Sequence, residues 1–447
     1  MNTAFEGRWS RSMALLLAIV ASAMLMGESA AQSVAAPGFP RLGGMLIGDP
    51  HNYGDPVYQA QIARLDVAVL GMYVGWRDNG QSPVQAVAAI KARNPNILLA
   101  NYTLMTEVST DPADTAQAYK RDKLSRERGP SGIGDWWAYD AAGQHTDWSG
   151  GAFASWDTNL TLLTTPDANG EHWPQWLARA DYQYLLQGVG FDLWYSDNNM
   201  WQPRSNADWN RDGIDDSAQG IQARAWWRDG QRAYYDTAKA VAPGMGIMVN
   251  ADSDLDGSVF PSNADRFDQY RGVVHAAFME HVMGKDWSVE SWGGWAPAMA
   301  WYRKLGENLL APKMVLFDVY LPATNDYRYL RYALASALMG DGYFSASTDY
   351  NRIVWFDEYD LAGTGSTHWL GQAVDPPQTT PWQRGVYRRR FEHGIALVNP
   401  KGNGTQTVTL PAGYRRFKGN QAPGVNNGQP VTSLRLADRD GILLLGP

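Results

Sequence analysis

The sequence predicts an α/β fold, a (β/α)8 TIM barrel followed by a small all-β C-terminal domain. Three observations carry that expectation. Eight short apolar runs lack polar alternation, helical signals lie between several of them, and the chain changes character after about Pro381. An apolar run without alternation marks a strand buried on both faces, as in a parallel sheet covered by helices.

Ahead of any strand, Arg8 and Arg11 precede the apolar run "MALLLAIVASAMLMG", and "ESAAQS" then offers Ser29 and Ala31 at a cleavage site. This is the pattern of a secretory signal, residues 1–31, removed after Ala31. The run is shorter than the ~20 residues a membrane span needs. No later segment could span a bilayer, so the expectation is a secreted or periplasmic protein with no membrane association after signal removal.

The eight strand signals are "GGMLIGD" from Gly43, "DVAVLGMYVGW" from Asp66, "NILLANYT" from Asn96, "FDLWYSD" from Phe191, "MGIMVNAD" from Met245, "VVHAAFMEH" from Val273, "KMVLFDVY" from Lys313 and "DGYFSAS" from Asp341. After the second, "SPVQAVAAIKARNP" sets Ser82 as N-cap, Pro83 at the first helical position and Gln85 as the partner in a capping box. Leu330, Ala333, Leu334, Ala337 and Leu338 repeat with the spacing of a helix that covers a sheet. Most intervals between strand starts suit one βα unit. The third is far longer and must hold an insertion, about 109–174, containing Trp136, Trp137, Trp148, Trp156 and Trp173. Leaving a strand's C-terminal end, it belongs on the catalytic face as a wall or lid. The barrel is thus placed at 40–380. Residues 381–447 read as β-rich pieces between Gly, Asn and Pro turns, with Arg388–Arg390 as a solvated strand edge. An open doubly wound sheet is the competing architecture, but no Gly-rich phosphate loop supports it.

Composition narrows the function. The chain carries 38 Lys and Arg against 46 Asp and Glu, a net charge of −8. That is a poor basis for nucleic-acid binding, which depends on neutralising phosphates. With no cysteine, an exported chain has neither disulfides nor thiolate metal sites. There is no G-x-S-x-G elbow, P-loop or dinucleotide fingerprint, which removes serine esterase, NTPase and dinucleotide enzyme, and the seven His include no H-E-x-x-H pair to favour zinc. The excess is aromatic: 20 Trp and 22 Tyr against 12 Phe. Trp and Tyr combine a flat face with a polar edge, and sugar rings offer a matching face of C–H bonds.

In such a barrel the C-terminal strand ends build the site. They deliver Asp49 and His51, then Tyr73, Trp76 and Arg77, then Asn101 and Tyr102. The later strands deliver Tyr195 and Asp197, Asn250 and Asp252, Glu280 and His281, and Asp318 and Tyr320. Carboxylates converge from five strands. Like charges held together cost stability, whereas glycoside hydrolysis needs one carboxylate at the reacting carbon and one protonated acid at the leaving oxygen. Asp197 is the candidate nucleophile or base; its competing role is to cap the next backbone turn. Glu280, ending the apolar strand "AAFMEH", is the candidate acid; its competing role is a buried pair with an arginine. Asp49, Trp76, Tyr102, Tyr195, Asn250, Asp252 and Asp318 are candidates to bind the sugar. No cofactor is required. In "DWNRDGIDDS", Asp208, Asn210, Asp212 and Asp216 take the spacing of a calcium loop with Gly213 at the turn. Gln219 stands where the bidentate Glu belongs, so a hydrated Asp-rich turn competes with structural calcium there. "DSDLDG" repeats the opening more weakly.

"FDLWYSDNN", "ADWNRDG", "DGYFS" and the tail "RRRFEHGIALVNPKGNGTQTVTLPAGYRR" with "RDGILLL" resemble glycosyl hydrolase-like family 15, from about Gly43 to the end. The resemblance implies an exported bacterial TIM barrel with a small C-terminal β domain. It also implies a distant relation to α-glycosidase barrels, whose nucleophilic Asp ends the fourth strand, and that position matches Asp197. No comparable motif selects the acid, so Glu280 rests on barrel position. The expected function is glycoside hydrolysis of a poly- or oligosaccharide, retaining or inverting. A polysaccharide-binding protein without turnover and a transglycosylase on the same scaffold are the alternatives. These motifs encode neither the sugar nor the oligomeric state.

Overall fold

In a computed structural model, residues 36–127, 135–251, 268–365 and 367–447 are described. The signal segment, Asp252 and the second Asp-rich turn lie outside the described residues. Eight parallel strands form the barrel: β1 (Gly43–Leu46), β2 (Val67–Leu70) and β3 (Leu98–Leu104), then, after the small antiparallel pair β4 (Glu107–Ser109) and β5 (Ser155–Asp157), β6 (Leu193–Asn199), β7 (Gly246–Ala251), β8 (Ala276–Met283), β9 (Met314–Tyr320) and β10 (Tyr343–Ser347). They pair in chain order, and a parallel bridge from Leu42 to Phe344 brings the last strand back to the first. All eight coincide with the apolar runs of the sequence.

Side chains alternate across a strand, so each strand sends one row inward. Val67, Val69, Ala100, Leu193, Tyr195, Met248, Ala276, Phe278, Met314 and Leu316 form the inner core. Trp194, between two inward residues, points the other way. There its Nε1 donates to Thr103 Oγ1 at 3.0 Å and to the Tyr234 hydroxyl at 3.1 Å, on the covering helix Ile221–Val241. The Pro83–Arg93 helix has the expected capping box on Ser82 and Gln85. The apolar stripe from Leu330 lies on the helix Tyr327–Ala337, which is buried from Tyr329 onward.

The tail forms a three-stranded antiparallel sheet of β11 (Tyr387–Phe391), β12 (Gly394–Asn399) and β15 (Asp440–Leu445), and a pair of β13 (Gln406–Thr409) with β14 (Ser433–Leu436). These sheets keep their own core, including Ile395, Leu397, Val408, Leu434, Ile442 and Leu444. They pack on the barrel within one compact unit, Pro37–Pro447. Gly441 makes this close: a Cβ there would stand 2.5 Å from Arg331 O.

Arg388–Arg390 is not a uniformly solvated edge. Arg390 is exposed and pairs with Asp375, but Arg389 is 1 % exposed. Its guanidinium donates to the carbonyls of Leu338, Gly340 and Asp375 and to the Asp341 carboxylate. Strand alternation turns the middle arginine toward the barrel, where two carbonyls at a helix end, Asp375 O and the Asp341 carboxylate take four of its five donors.

Candidate active site

The inward rows that build the core also build the site, one layer higher. Leu193 and Tyr195 lead to Asp197, Met248 to Asn250, Ala276 and Phe278 to Glu280, and Ala100 to Tyr102. Strand alternation therefore brings these polar residues to one mouth. The Asp197 oxygens accept from the Tyr102 hydroxyl at 2.6 Å, the Tyr195 hydroxyl at 3.2 Å and Asn250 Nδ2 at 2.8 Å. Among the described residues they cap no backbone turn. Asn250 Nδ2 also donates to Glu280 Oε2 at 3.0 Å, and Tyr350 donates to Glu280 Oε1 at 2.8 Å. Burial pushes the Glu280 carboxyl above its ordinary range, the nearby Asp197 charge adds to this, and the bonds from Asn250 and Tyr350 oppose it.

Backbone geometry is unusual at both acids. Asn198, next to Asp197, and His281, next to Glu280, take left-handed φ values of 54° and 41°. The pairing register also shifts there, between Ser196 and Asn199 and between Met279 and Met283. Bulges and left-handed non-glycine residues concentrate where a strand must re-aim a functional side chain.

The other candidates divide. Tyr102, Tyr195 and Asn250 are in the site as hydrogen-bond donors to the acids. Asp49 is on the rim, its side chain 91 % exposed and 2.9 Å from His51 Nδ1. Trp76 donates from Nε1 to His51 O at 3.0 Å and packs on Tyr53. Asp318 requires a correction: it is fully buried and has no surface for a sugar. Its oxygens hold His281 Nδ1 at 2.7 Å and accept from Ser345 Oγ at 2.7 Å. His281 in turn stacks on Tyr350, with ring centroids 5.0 Å apart.

Of the insertion's tryptophans, Trp136, Trp137 and Trp173 are core. Trp148 reaches the site, donating from Nε1 to Glu107 Oε2 at 2.7 Å beneath the Arg204 guanidinium, 3.8 Å from its ring. Glu107 was missed by sequence reasoning. It stands three residues beyond β3, past the strand end that drew attention to Tyr102. Burial pushes it up to about 7; Thr106, Arg204 and Trp148 oppose the shift, and the Asp197 charge adds to it. Asn198 Nδ2 lies 3.4 Å from both its oxygens. Tyr350 was also missed, because no strand-end residue was sought after the eighth strand.

The Asp-rich loop is turned on itself. Asp208 accepts from Asp212 N and Gly213 N, Asn210 Oδ1 from Asp212 N, Asp212 Oδ1 from Ile214 N, and Asp216 from Trp209 N. Among the described residues no group of three or more His, Asp or Glu side chains is disposed to hold a metal ion. No helix among them is long and apolar enough to cross a membrane.

Comparison with solved structures finds similar barrels in other chains. Eubacterium rectale Amy13B aligns at a TM-score of 0.50 and 8 % identity, covering 91 % of this chain and 95 % of that one. An alpha-amylase from Lactobacillus plantarum aligns at a TM-score of 0.46 and 11 % identity, covering 91 % and 98 %. The glycoside hydrolase domain of PelA from Pseudomonas aeruginosa aligns at 0.39 and 14 %, covering 66 % and 92 %. No curated protein matches the chain. A family model does: it spans residues 91–395, from the helix before β3 to the start of β12, and takes in Glu107, Asp197, Asn250, Glu280 and Tyr350. On that match, over well more than half its length, the chain belongs to hypothetical glycosyl hydrolase family 15.

Proposed function

We propose that the protein is an exported glycoside hydrolase that cuts a poly- or oligosaccharide, with Asp197 as nucleophile and Glu280 as acid and base. One observation carries this: a single amide nitrogen, Asn250 Nδ2, donates to both carboxyl groups, at 2.8 Å and 3.0 Å. Their nearest oxygens can be no further apart than those two bonds laid end to end. That is short of the ~6.5 Å at which inverting pairs begin, and it favours retention. Export is supported by Arg8, Arg11 and the apolar run that follows them.

The chemistry follows from the environment. Glu280, whose protonated form is favoured by burial and by the Asp197 charge, gives its proton to the glycosidic oxygen as that bond breaks. Asp197, aimed by three donors, attacks the anomeric carbon and forms a glycosyl–enzyme bond. Bond formation removes the Asp197 charge, so Glu280 releases protons more readily in the intermediate. It then takes a proton from the incoming water, whose oxygen bonds to the anomeric carbon as the bond to Asp197 breaks; the sugar leaves, and both carboxyl groups return to their starting states.

Asp197→Asn is nearly isosteric and should keep the fold and ligand binding while turnover falls roughly 10³-fold or more. On wild type, proton NMR of the first product should show the anomeric configuration of the substrate. A folded Asp197→Asn variant with full turnover would end the assignment, and an inverted product would exclude Asp197 as nucleophile.

A further inference from the structure

We infer that Trp287 is the stacking platform for the sugar ring on the leaving-group side of the scissile bond, so that the substrate is cut between two sugar units. This rests on the assignment of Asp197 and Glu280 above. The strands order the rim: Asp197 on β6, Asn250 on β7, Glu280 on β8, Tyr320 on β9, and Tyr350 beyond β10. A leaving oxygen must sit against the acid, and the group it carries extends away from the nucleophile. That direction leads from Glu280 to the loop after β8, where Trp287 is 49 % exposed.

The loop is built to hold that ring in place. Gly284 takes φ +103°, and a Cβ there would stand 2.3 Å from Tyr320 O, so only glycine lets the chain turn so close to β9. Ser288 is fully buried; its Oγ donates to His281 O at 2.6 Å and accepts from Lys285 N at 2.9 Å. Trp292 Nε1 donates to Trp287 O at 3.2 Å. The Trp287 ring rests 5.5 Å from the His281 ring at 30°. His281 is anchored by buried Asp318 and stacked on Tyr350, the residue that holds Glu280. A tryptophan fixed from below and half open above adds little to a core. It presents to the cleft the flat apolar face that a pyranose ring covers.

The test uses the mature chain, wild type and Trp287→Ala. Cello-, malto- and chito-oligosaccharides of two to six units are compared with the glycosyl fluoride of whichever sugar is cleaved, since fluoride offers nothing to stack. The expected loss in kcat/KM is about tenfold larger on the oligosaccharide than on the fluoride. Trp287→Phe should recover part of the difference. Equal losses on both substrates would mean that Trp287 only supports His281, and no loss on either would mean that it is idle; each overturns the inference. Binding of the same oligosaccharides to the Asp197→Asn chain, with and without Trp287→Ala, separates the two assignments. Trp287-dependent binding without wild-type turnover would count against the hydrolase alone, whereas Trp287-independent binding would overturn the platform alone.

Discussion

His281 Nδ1 lies 2.7 Å from Asp318 Oδ2 in a pocket where Asp318 has no exposed surface. Among the described residues, β6, β8 and β9 each carry an acid near their C-terminal ends, yet the one on β9 is spent below the barrel mouth. It fixes the imidazole that backs Tyr350 and, through Tyr350, Glu280.

Asp318→Ala leaves both the His281 ring and the Ser345 hydroxyl without their buried acceptor. Leaving a buried donor without its acceptor costs about 1–3 kcal/mol. Urea unfolding should show that loss, and a midpoint equal to wild type would mean that water replaces the carboxylate.

Glu107 gives a pH signature. Its carboxyl is held up to about 7 in the folded chain, chiefly by burial, against 4.5 for the free group. The folded state therefore holds the proton more tightly than the unfolded state, and this contribution is complete below pH 4.5. It is lost as pH rises toward 7, by about 3 kcal/mol in all. Glu107→Gln cannot titrate, so its stability relative to wild type should climb from pH 4.5 to 7 and then level off. Melts in a pH series check this, and parallel curves for the two proteins would reject it.

Arg389 should matter far more to stability than its neighbours. Arg389→Ala strands two buried carbonyls, Leu338 O and Gly340 O, and a half-buried one, Asp375 O, and a loss of about 3 kcal/mol is expected in chemical denaturation. Arg389→Lys should recover little of it, because an ammonium cannot present the same planar fork. Arg390→Ala, at an exposed pair, should cost under about 1 kcal/mol.

Chelation tests the Asp-rich loop. The oxygens of Asp208, Asn210, Asp212 and Asp216 already accept from the loop's own amides. EDTA should therefore leave the melting temperature unchanged. A fall restored by calcium would return a cation to this loop.

The sequence by itself determined the barrel. Burial on both faces demands unbroken apolar runs, and helix caps and turns are local chemistry, so β1 to β3, β6 to β10 and the Ser82 cap were all legible. The strand-end positions of Asp197 and Glu280 were legible for the same reason, since each ends an inward-facing row. Tertiary structure decided where each acid sits. A strand end does not reveal whether its carboxylate reaches the mouth, as Asp197 does, or is covered from a neighbouring strand, as Asp318 is by His281. Glu107 became a site residue only when Trp148, 41 positions away, closed over it. The three arginines of β11 look alike in sequence, yet alternation and a helix end 49 to 51 residues distant buried only the middle one. Burial and charge proximity depend on closure of the barrel, which joins residues far apart in the chain, and no local pattern records that.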